Sequence, residues 1–593
     1  MQNVSQKWKD NQNNLLVGES DIEVSIKLTD PEAYEDASAT DNGHAVYSNA
    51  NHIVADGVKN IRPYTTLERN LWLLDGSREI VPDSNYGEVG FVDDALSLEG
   101  RTFNANPIVT IDFTKVHTNL LQGITITWSE FSDEYAEEFI VTAYNGTNVV
   151  AKKTVTDNST VTSTVMMDIV NYDNITIEIV KWSLPLRRAR IDEVFIGANI
   201  IFSKKDVFSY SSSYGADPIS ANLPKSEVSF SLNNVDKTFN PYNVGGLSKY
   251  LMERQEISVR YGFKLDSGFE WINGGKFYLS EWDAKQSGIE AGFKARDLLE
   301  FMTGTYNKGL YNPNGTSLYA LAEDVLLDAD LPVNADGTVK WNIDESLKNI
   351  YTIAPLPIET HANCLQLITN AAGCVMYQDR GGTLRITKLS TSVSDYTIND
   401  FNSYSKPDLS LSKPLKQVEV PYYSYSISED STELFNGVVN INGKSDVIVT
   451  YSSMATNVTA NITNGTLNSA KYYTNACVLN ITGSGNVTII VNGNGLESSS
   501  LMMTIVDSEK GETVSVDNPL ITSQERATAV GSWVRDYMKN RVSLSSNWRA
   551  DPRLDALDII NNENDYSTNH MVMTQVNYTY NGAFRGSGEG RVI

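Results

Sequence analysis

The chain has 593 residues, 41% of them hydrophobic, and a formal net charge of −26. At roughly 100–200 residues per domain, about three to five domains are expected. The charge argues against a protein built to grip nucleic-acid phosphates, which needs a basic surface to gain from counterion release.

The start MQNVSQKWKD lacks the apolar stretch of a secretory signal. No apolar run of about 18 residues occurs, so no membrane span is expected. Three cysteines, Cys364, Cys374 and Cys477, cannot form a full disulfide framework. Buried free thiols and folding in a reducing cytoplasm are the expectation. Thirty tyrosines, with abundant Asn, Ser and Thr, favour strands joined by polar turns.

Residues 1–55 are polar, with one strand candidate at Ile22–Leu28, where Ile22, Val24, Ile26 and Leu28 alternate with polar neighbours. The rest of that stretch is too poor in apolar residues to fold alone and reads as an arm that docks on a neighbour. Residues 56–204 read as a β-sandwich. Its strand candidates are Ile108–Phe113, Ile124–Trp128, Phe139–Tyr144, Thr162–Ile169, Ile175–Trp182 and Arg190–Phe195, parted by Gly, Asn and Asp clusters. Parity puts Ile124, Ile126 and Trp128 on one face, the core face. It puts Trp182 on the face opposite Ile175, Ile177 and Ile179.

Residues 205–305 form a second β region, with alternation at Val228, Phe230 and Leu232 and at Ile257, Val259 and Tyr261. Gly274-Gly275 reads as a turn before a strand, and a short helix is expected from Asp297. Residues 306–400 switch period: Leu318, Leu321, Ala322, Val325 and Leu326 share one helical face, as do Cys364, Leu365, Ile368, Ala371 and Ala372. Gly373 suits a helix C-cap, and Asp379–Gly382 turns into a strand at Thr383–Leu389. This is a small α+β domain.

Residues 401–593 return to β, interrupted at about 430–515 by an Asn/Thr/Ser/Val/Gly-rich stretch that reads as a separate β insertion. Thr522-Ser523-Gln524-Glu525 forms a capping box for a helix whose apolar face is Ala527, Val530, Trp533, Val534 and Tyr537. A long strand, Met571–Tyr580, turns back at Asn581-Gly582 as a hairpin. The fold class is therefore multidomain and mainly β, with a small α+β domain.

Motifs for catalysis are scarce. The five histidines are His44, His52, His117, His361 and His570. His361 lies three residues before Cys364, but a surface pair outweighs a catalytic dyad. There is no HExxH, P-loop, GxSxG or strand-borne GxGxxG, and no enzyme, cofactor or metal site is expected. The run Glu130, Asp133, Glu134, Glu137 and Glu138 reads as a solvated face. One ligand site is plausible. Trp182, Arg187, Arg188 and Tyr135 supply the aromatic and hydrogen-bonding types that bind sugars, weighed against Trp182 packing on a neighbouring domain and the arginines pairing with acids.

Several stretches resemble tail-tip proteins of phages and prophages of Gram-positive bacteria. Tyr64–Ser77 (YTTLERNLWLLDGS) and Lys181–Ile191 (KWSLPLRRARI) look like the lead and the last strand pair of a discoidin-like, galactose-binding-type sandwich. Phe239–Tyr242, Gln255–Gly262, Gly275–Leu279 and Phe293–Asp297 resemble the first barrel of the baseplate hub family, which includes the tail-associated lysins. Asp555–Gly590 resembles the closing strands of its paired barrel.

The resemblance implies a first hub barrel at 205–305 and a second within 401–593. It implies a homotrimer whose paired barrels give a pseudo-sixfold ring between a sixfold tail tube and a threefold tip. Implied partners are the tail tube, distal tail proteins and other baseplate or fibre proteins. DNA would pass through the channel without specific binding, and a host-surface glycan is a further partner. The implied location is the virion, after synthesis in the bacterial host cytoplasm. The chain ends about where such hubs end, which puts a wall-degrading domain in doubt. The alternative reading is a carbohydrate-binding adhesin of the tail tip.

Overall fold

The computed structural model describes the whole chain except residues 15–16, 30–32, 34–35, 55–63, 70, 75–88, 244–245, 267, 286–287, 334–337, 550 and 564. The protein is multidomain and mainly β, as its composition led one to expect.

A 13-stranded sheet forms the centre. Its path runs Gly197–Phe202, Ser20–Thr29, Glu256–Leu265, Gly268–Ala284, Glu290–Arg296, Lys225–Asn233, Val207–Gly215, Thr568–Tyr580, Phe584–Val592, Val542–Arg549 and Asp408–Leu411. Ile559–Glu563 pairs with Thr568–Tyr580, and Val393–Ile398 joins it in parallel. Two sequence-distant strand groups, 207–296 and 542–592, thus meet edge to edge. Tyr210–Gly215 pairs antiparallel with Gln575–Tyr580, and one continuous hydrophobic cluster runs beneath both groups.

The first group is rolled. Gly274, inside the 17-residue strand Gly268–Ala284, is an extra residue where the register slips opposite Val259 and Arg260. A Cβ on Gly274 would meet Val259 Cγ1 at 2.7 Å and Tyr261 Cζ at 2.9 Å. The Gly-Gly pair is therefore a bulge in mid-strand, where a turn was expected, and it bends the strand while letting the Tyr261 ring lie close.

The N-terminal stretch, expected as an arm that docks on a neighbour, lies against its own chain. Ile22, Val24 and Ile26 are buried because Ser20–Thr29 is inserted between Glu256–Leu265 and Gly197–Phe202 of its own chain. The side chain of Leu28 lies outside the described residues. Helix Gln6–Gln12 seals this edge, with Trp8 wholly buried and its ring 4.9 Å from Phe263. Ser38–Asp41 joins the sandwich instead.

That sandwich packs a five-stranded sheet on a three-stranded one. The larger holds Ile108–His117, Tyr172–Trp182, Ala136–Asn145 and Asn148–Val155 beside Ser38–Asp41; the smaller holds Leu121–Thr127, Thr162–Ile169 and Glu193–Phe195. Trp128, Phe139 and Ile177 fill the space between them.

The α+β unit has helices Leu318–Asp328 and His361–Ala372 against the sheet Trp341–Ile343, Leu384–Thr387 and Val375–Gln378. Gly373 takes φ 65° at the C-cap, the left-handed turn that glycine adopts without strain. Helix Gln524–Met538 starts on Ser523, whose hydroxyl accepts from the Arg526 amide at 3.2 Å. It packs on the base of the longest strands, Leu415–Thr450 and Ala476–Val506, through Val420, Ile505 and Val530.

Those strands and Ala455–Tyr472 form a sheet folded over on itself. Ala455 pairs with Gly495, yet its amide donates to Thr474 O at 2.9 Å. Twenty residues of straight strand would hold those partners roughly 60 Å apart. The crease runs through Gly443 (φ 87°), Gly485 (φ 99°) and Asn464 (φ 63°). The doubled sheet encloses its own core of Ile441, Leu479, Ile481, Val487 and Ile489.

Candidate functional site

The residues expected to bind sugar come together, but below the surface. Trp182 is fully buried, 6.1 Å from Trp128, and its indole N–H donates to Glu134 Oε2 at 2.8 Å. Ala136 pairs with Trp182 and Phe139 with Ile179, with register slips between them. The slips reverse the parity of the strand end and turn Trp182 inward. No ring face is left on which a sugar can stack.

Arg187 pairs with the same carboxylate, Nε to Oε1 at 3.0 Å, with both side chains under a tenth exposed. Glu134 is thus a buried acceptor and not part of a solvated acidic face. Burial pushes its carboxyl above the ordinary range, against the pull of Trp182 and Arg187. Of its neighbours in that run, Glu137 pairs with Arg101 and Lys181. Arg188 donates to the carbonyls of Asp93 (2.8 Å) and Asp94, and its amide donates to Glu68 Oε1 at 2.7 Å. Tyr135 is half-buried, and its amide donates to Ser183 Oγ at 3.1 Å.

Below Arg188, Arg190 is buried against Glu68 and donates to the Tyr64 hydroxyl at 3.1 Å. Burial works against ionisation of Glu68, and the Arg190 guanidinium more than offsets it, holding the carboxyl below its usual range. Glu68, Arg190 and Tyr64 carry the structure here, and the sequence singled out none of them as a polar centre. They fasten the segment beginning at Tyr64 to the strand Arg190–Ile191. Asn70 and residues 75–77 of the resembling stretch lie outside the described residues.

A second polar centre lies inside the rolled sheet. The turn Asp379–Gly382 drives Arg380 into the main core. Its guanidinium meets Asp555 Oδ1 at 2.5 Å and the carbonyls of Asn273, Pro552 and Leu554 at 3.1, 2.6 and 2.7 Å. The Tyr214 ring lies 4.7 Å from it. The hydroxyl of Tyr261 bonds those of Tyr210 (2.7 Å), Tyr214 (2.8 Å) and Ser212 (3.1 Å). Every donor of Arg380 that reaches an acceptor is used to tie three remote segments together, a positioning task and not chemistry on a ligand.

Cys364 is buried, with its thiol pushed up to about 12 chiefly by burial, while His361 turns to Asp328 at 3.1 Å. All three cysteines are free and buried. Among the described residues no group of three or more His, Cys, Asp or Glu could hold a metal ion. Among them, no helix is long and apolar enough to cross a membrane.

No protein-family model matches the chain, and no curated protein matches it. Solved structures do. The chain is similar to the 43 kDa tail protein of prophage MuSo2 from Shewanella oneidensis, at 10% identity over 68% of this chain and 96% of that one, TM-score 0.37. It is also similar to a tail protein of Neisseria meningitidis, at 8% identity over 65% and 92%, TM-score 0.37. A prophage tail protein of Listeria monocytogenes matches at 8% identity over 67% and 91%, again with TM-score 0.37.

Proposed function

We propose that the chain is a structural hub of a phage-type tail tip or baseplate, in the virion, acting by geometry and not by catalysis. The observation that carries this reading is the joint between Tyr210–Gly215 and Gln575–Tyr580, which sets two strand groups far apart in sequence side by side in one sheet. In this reading each chain contributes the two groups as near-equivalent units. Three copies about an axis would give the six near-equivalent positions needed to join a sixfold tube to a threefold tip. The resemblance of Gln255–Gly262 and Asp555–Gly590 to the hub family points the same way.

In this reading the partners are two further copies of the chain, the tail tube and distal tail proteins above, and other baseplate or fibre proteins around. The sandwich and the folded-over sheet serve as peripheral contacts that take part in host attachment. The net charge of −26 suits a wall past which DNA slides without adhering. The adhesin reading through Trp182 loses support, because that ring is buried. Native mass spectrometry of the purified chain tests the proposal: a trimer is expected, and a monomer at all accessible concentrations speaks against it.

A further inference from the structure

A cleft of about 600 Å³ opens where the folded-over sheet meets the α+β unit. Hydrogen bonds fix that junction: the Asn475 side-chain amide donates to Leu356 O at 3.1 Å, and the Thr474 amide to Gly309 O at 2.9 Å. The strand Leu415–Thr450 contributes Tyr423 and Tyr425 to the lining, and the segment before helix His361–Ala372 contributes Pro357 and Ile358. The turn at Ser452 and Ser453 and the segment before helix Gln524–Met538, with Asp517, complete it. The volume falls within the range of about 300–1,000 Å³ usual for pockets that take small molecules.

Tyr423 and Tyr425 stand two residues apart on one face of their strand, so the rings are set roughly 7 Å from each other. Both are half-buried and keep part of their surface on the cleft. Their hydroxyls are tied down: Tyr423 donates to Asp517 Oδ1 at 2.5 Å and Tyr425 to Pro519 O at 3.4 Å. Rings fixed before a ligand arrives lose little freedom when it binds.

The polar groups beside these rings are open to solvent. Ser452, Ser453, Ser498 and Asp517 are exposed, and Ser498 stands directly across the ladder from Tyr425. Asp517 gives one oxygen to Tyr423 and has Oδ2 left to accept. The lining holds no Lys, Arg or His, so an anion would meet no counter-charge. A proline-rich strand also docks on tyrosines, but proline has no N–H to give Asp517. A sugar ring suits both halves of the cleft, with C–H groups for the aromatic surface and hydroxyls that donate to the carboxylate and bond the serines.

We propose that this cleft binds a neutral glycan, with a pyranose ring on Tyr423 and Tyr425 and its hydroxyls on Asp517 and the neighbouring serines. The site does not rest on the tail-tip reading, whose own test is the trimer.

The experiment is a printed array of neutral and sialylated glycans probed with the full chain, each hit then titrated as the free oligosaccharide by isothermal calorimetry. Binding to neutral glycans, with no gain from sialic acid, is expected. Tyr425→Ala removes one ring. Asp517→Asn keeps an oxygen for the Tyr423 hydroxyl and changes the free acceptor. Each should weaken binding by about tenfold or more, through lost apolar contact in the first and a lost charge-assisted hydrogen bond in the second. Trp182→Phe, in the sandwich, should bind as the wild-type chain does. Absence of binding to every neutral glycan would overturn the proposal. So would wild-type affinity in both cleft variants, with circular dichroism showing each of them folded. Binding of a decaproline peptide in place of glycans, lost in Tyr425→Ala, would overturn it as well and assign the cleft to a peptide.

Discussion

The hydroxyls of Tyr210 and Tyr261 lie 2.7 Å apart, although three strands separate theirs along the sheet. Four strand spacings in a flat sheet would be roughly 19 Å. The contact therefore reports how tightly the sheet rolls. A further link closes the same interior, where the Tyr580 hydroxyl donates to Ser20 O at 3.1 Å.

Tyr261→Phe tests that interior. The variant keeps the ring but strips the hydroxyl that Tyr210, Tyr214 and Ser212 share. Leaving those groups short of a partner should cost about 1–3 kcal/mol, read as a lower midpoint of thermal unfolding. An unchanged midpoint would mean the network adds nothing to the roll.

Arg380 should matter more. Arg380→Met leaves Asp555 and the carbonyls of Asn273, Pro552 and Leu554 without their shared donor. Removing one partner of a buried pair typically costs about 3–5 kcal/mol. The expected result is loss of the joint between the α+β unit and the sheet, visible as protease cleavage near residues 379–382 under conditions where the wild-type chain resists. Equal resistance would contradict the role given to this side chain.

How far the sequence foretold these features depended on range. The helices at Leu318–Asp328 and His361–Ala372 and the hairpin at Asn581-Gly582 were legible, because period, cap and turn chemistry are local. Ser20–Thr29 was legible as a strand, but its partner Glu256–Leu265 lies over 200 positions away and leaves no local trace. Trp182 was misplaced because strand parity assumes a regular ladder, and a register slip inverts it. Glu134 was misread for a related reason: an acid beside other acids looks solvated until its buried partners, Trp182 and Arg187, are in view. Arg380 sat in an ordinary turn sequence, with nothing nearby to announce that it points into a core.

The buried place of Trp182 makes a prediction of its own. Trp182→Phe keeps most of the packing but removes the donor to Glu134 Oε2. A sandwich less stable by about 1.5–3 kcal/mol is expected, with no change on a glycan array. Glycan binding by the wild-type chain that vanishes in the folded variant would restore the sugar site.

Asp93 sets a pH dependence. It is 4% exposed, its Oδ2 finds no hydrogen-bond partner among the described residues, and burial followed by the neighbouring Asp94 raises its carboxyl to about 7. The folded state thus holds this proton more tightly than the unfolded chain, whose Asp titrates near 3.8. From about pH 4 to 7 the folded state binds more protons, so this group lowers stability as pH rises, by at most about 4 kcal/mol. Asp93→Asn should flatten that slope and raise the unfolding midpoint of the sandwich at about pH 7.5, with little change at about pH 4. A slope identical to wild type would assign the proton elsewhere.

In the proposed hub the strand groups 207–296 and 542–592 stand side by side around a common axis when copies of the chain assemble. Electron cryo-microscopy of the purified assembly tests it most directly. A threefold ring is expected, in which each subunit contributes both groups to the wall of a central channel. A monomer, or a peripheral spike in which the joint at Tyr210–Gly215 faces away from any axis, would contradict it.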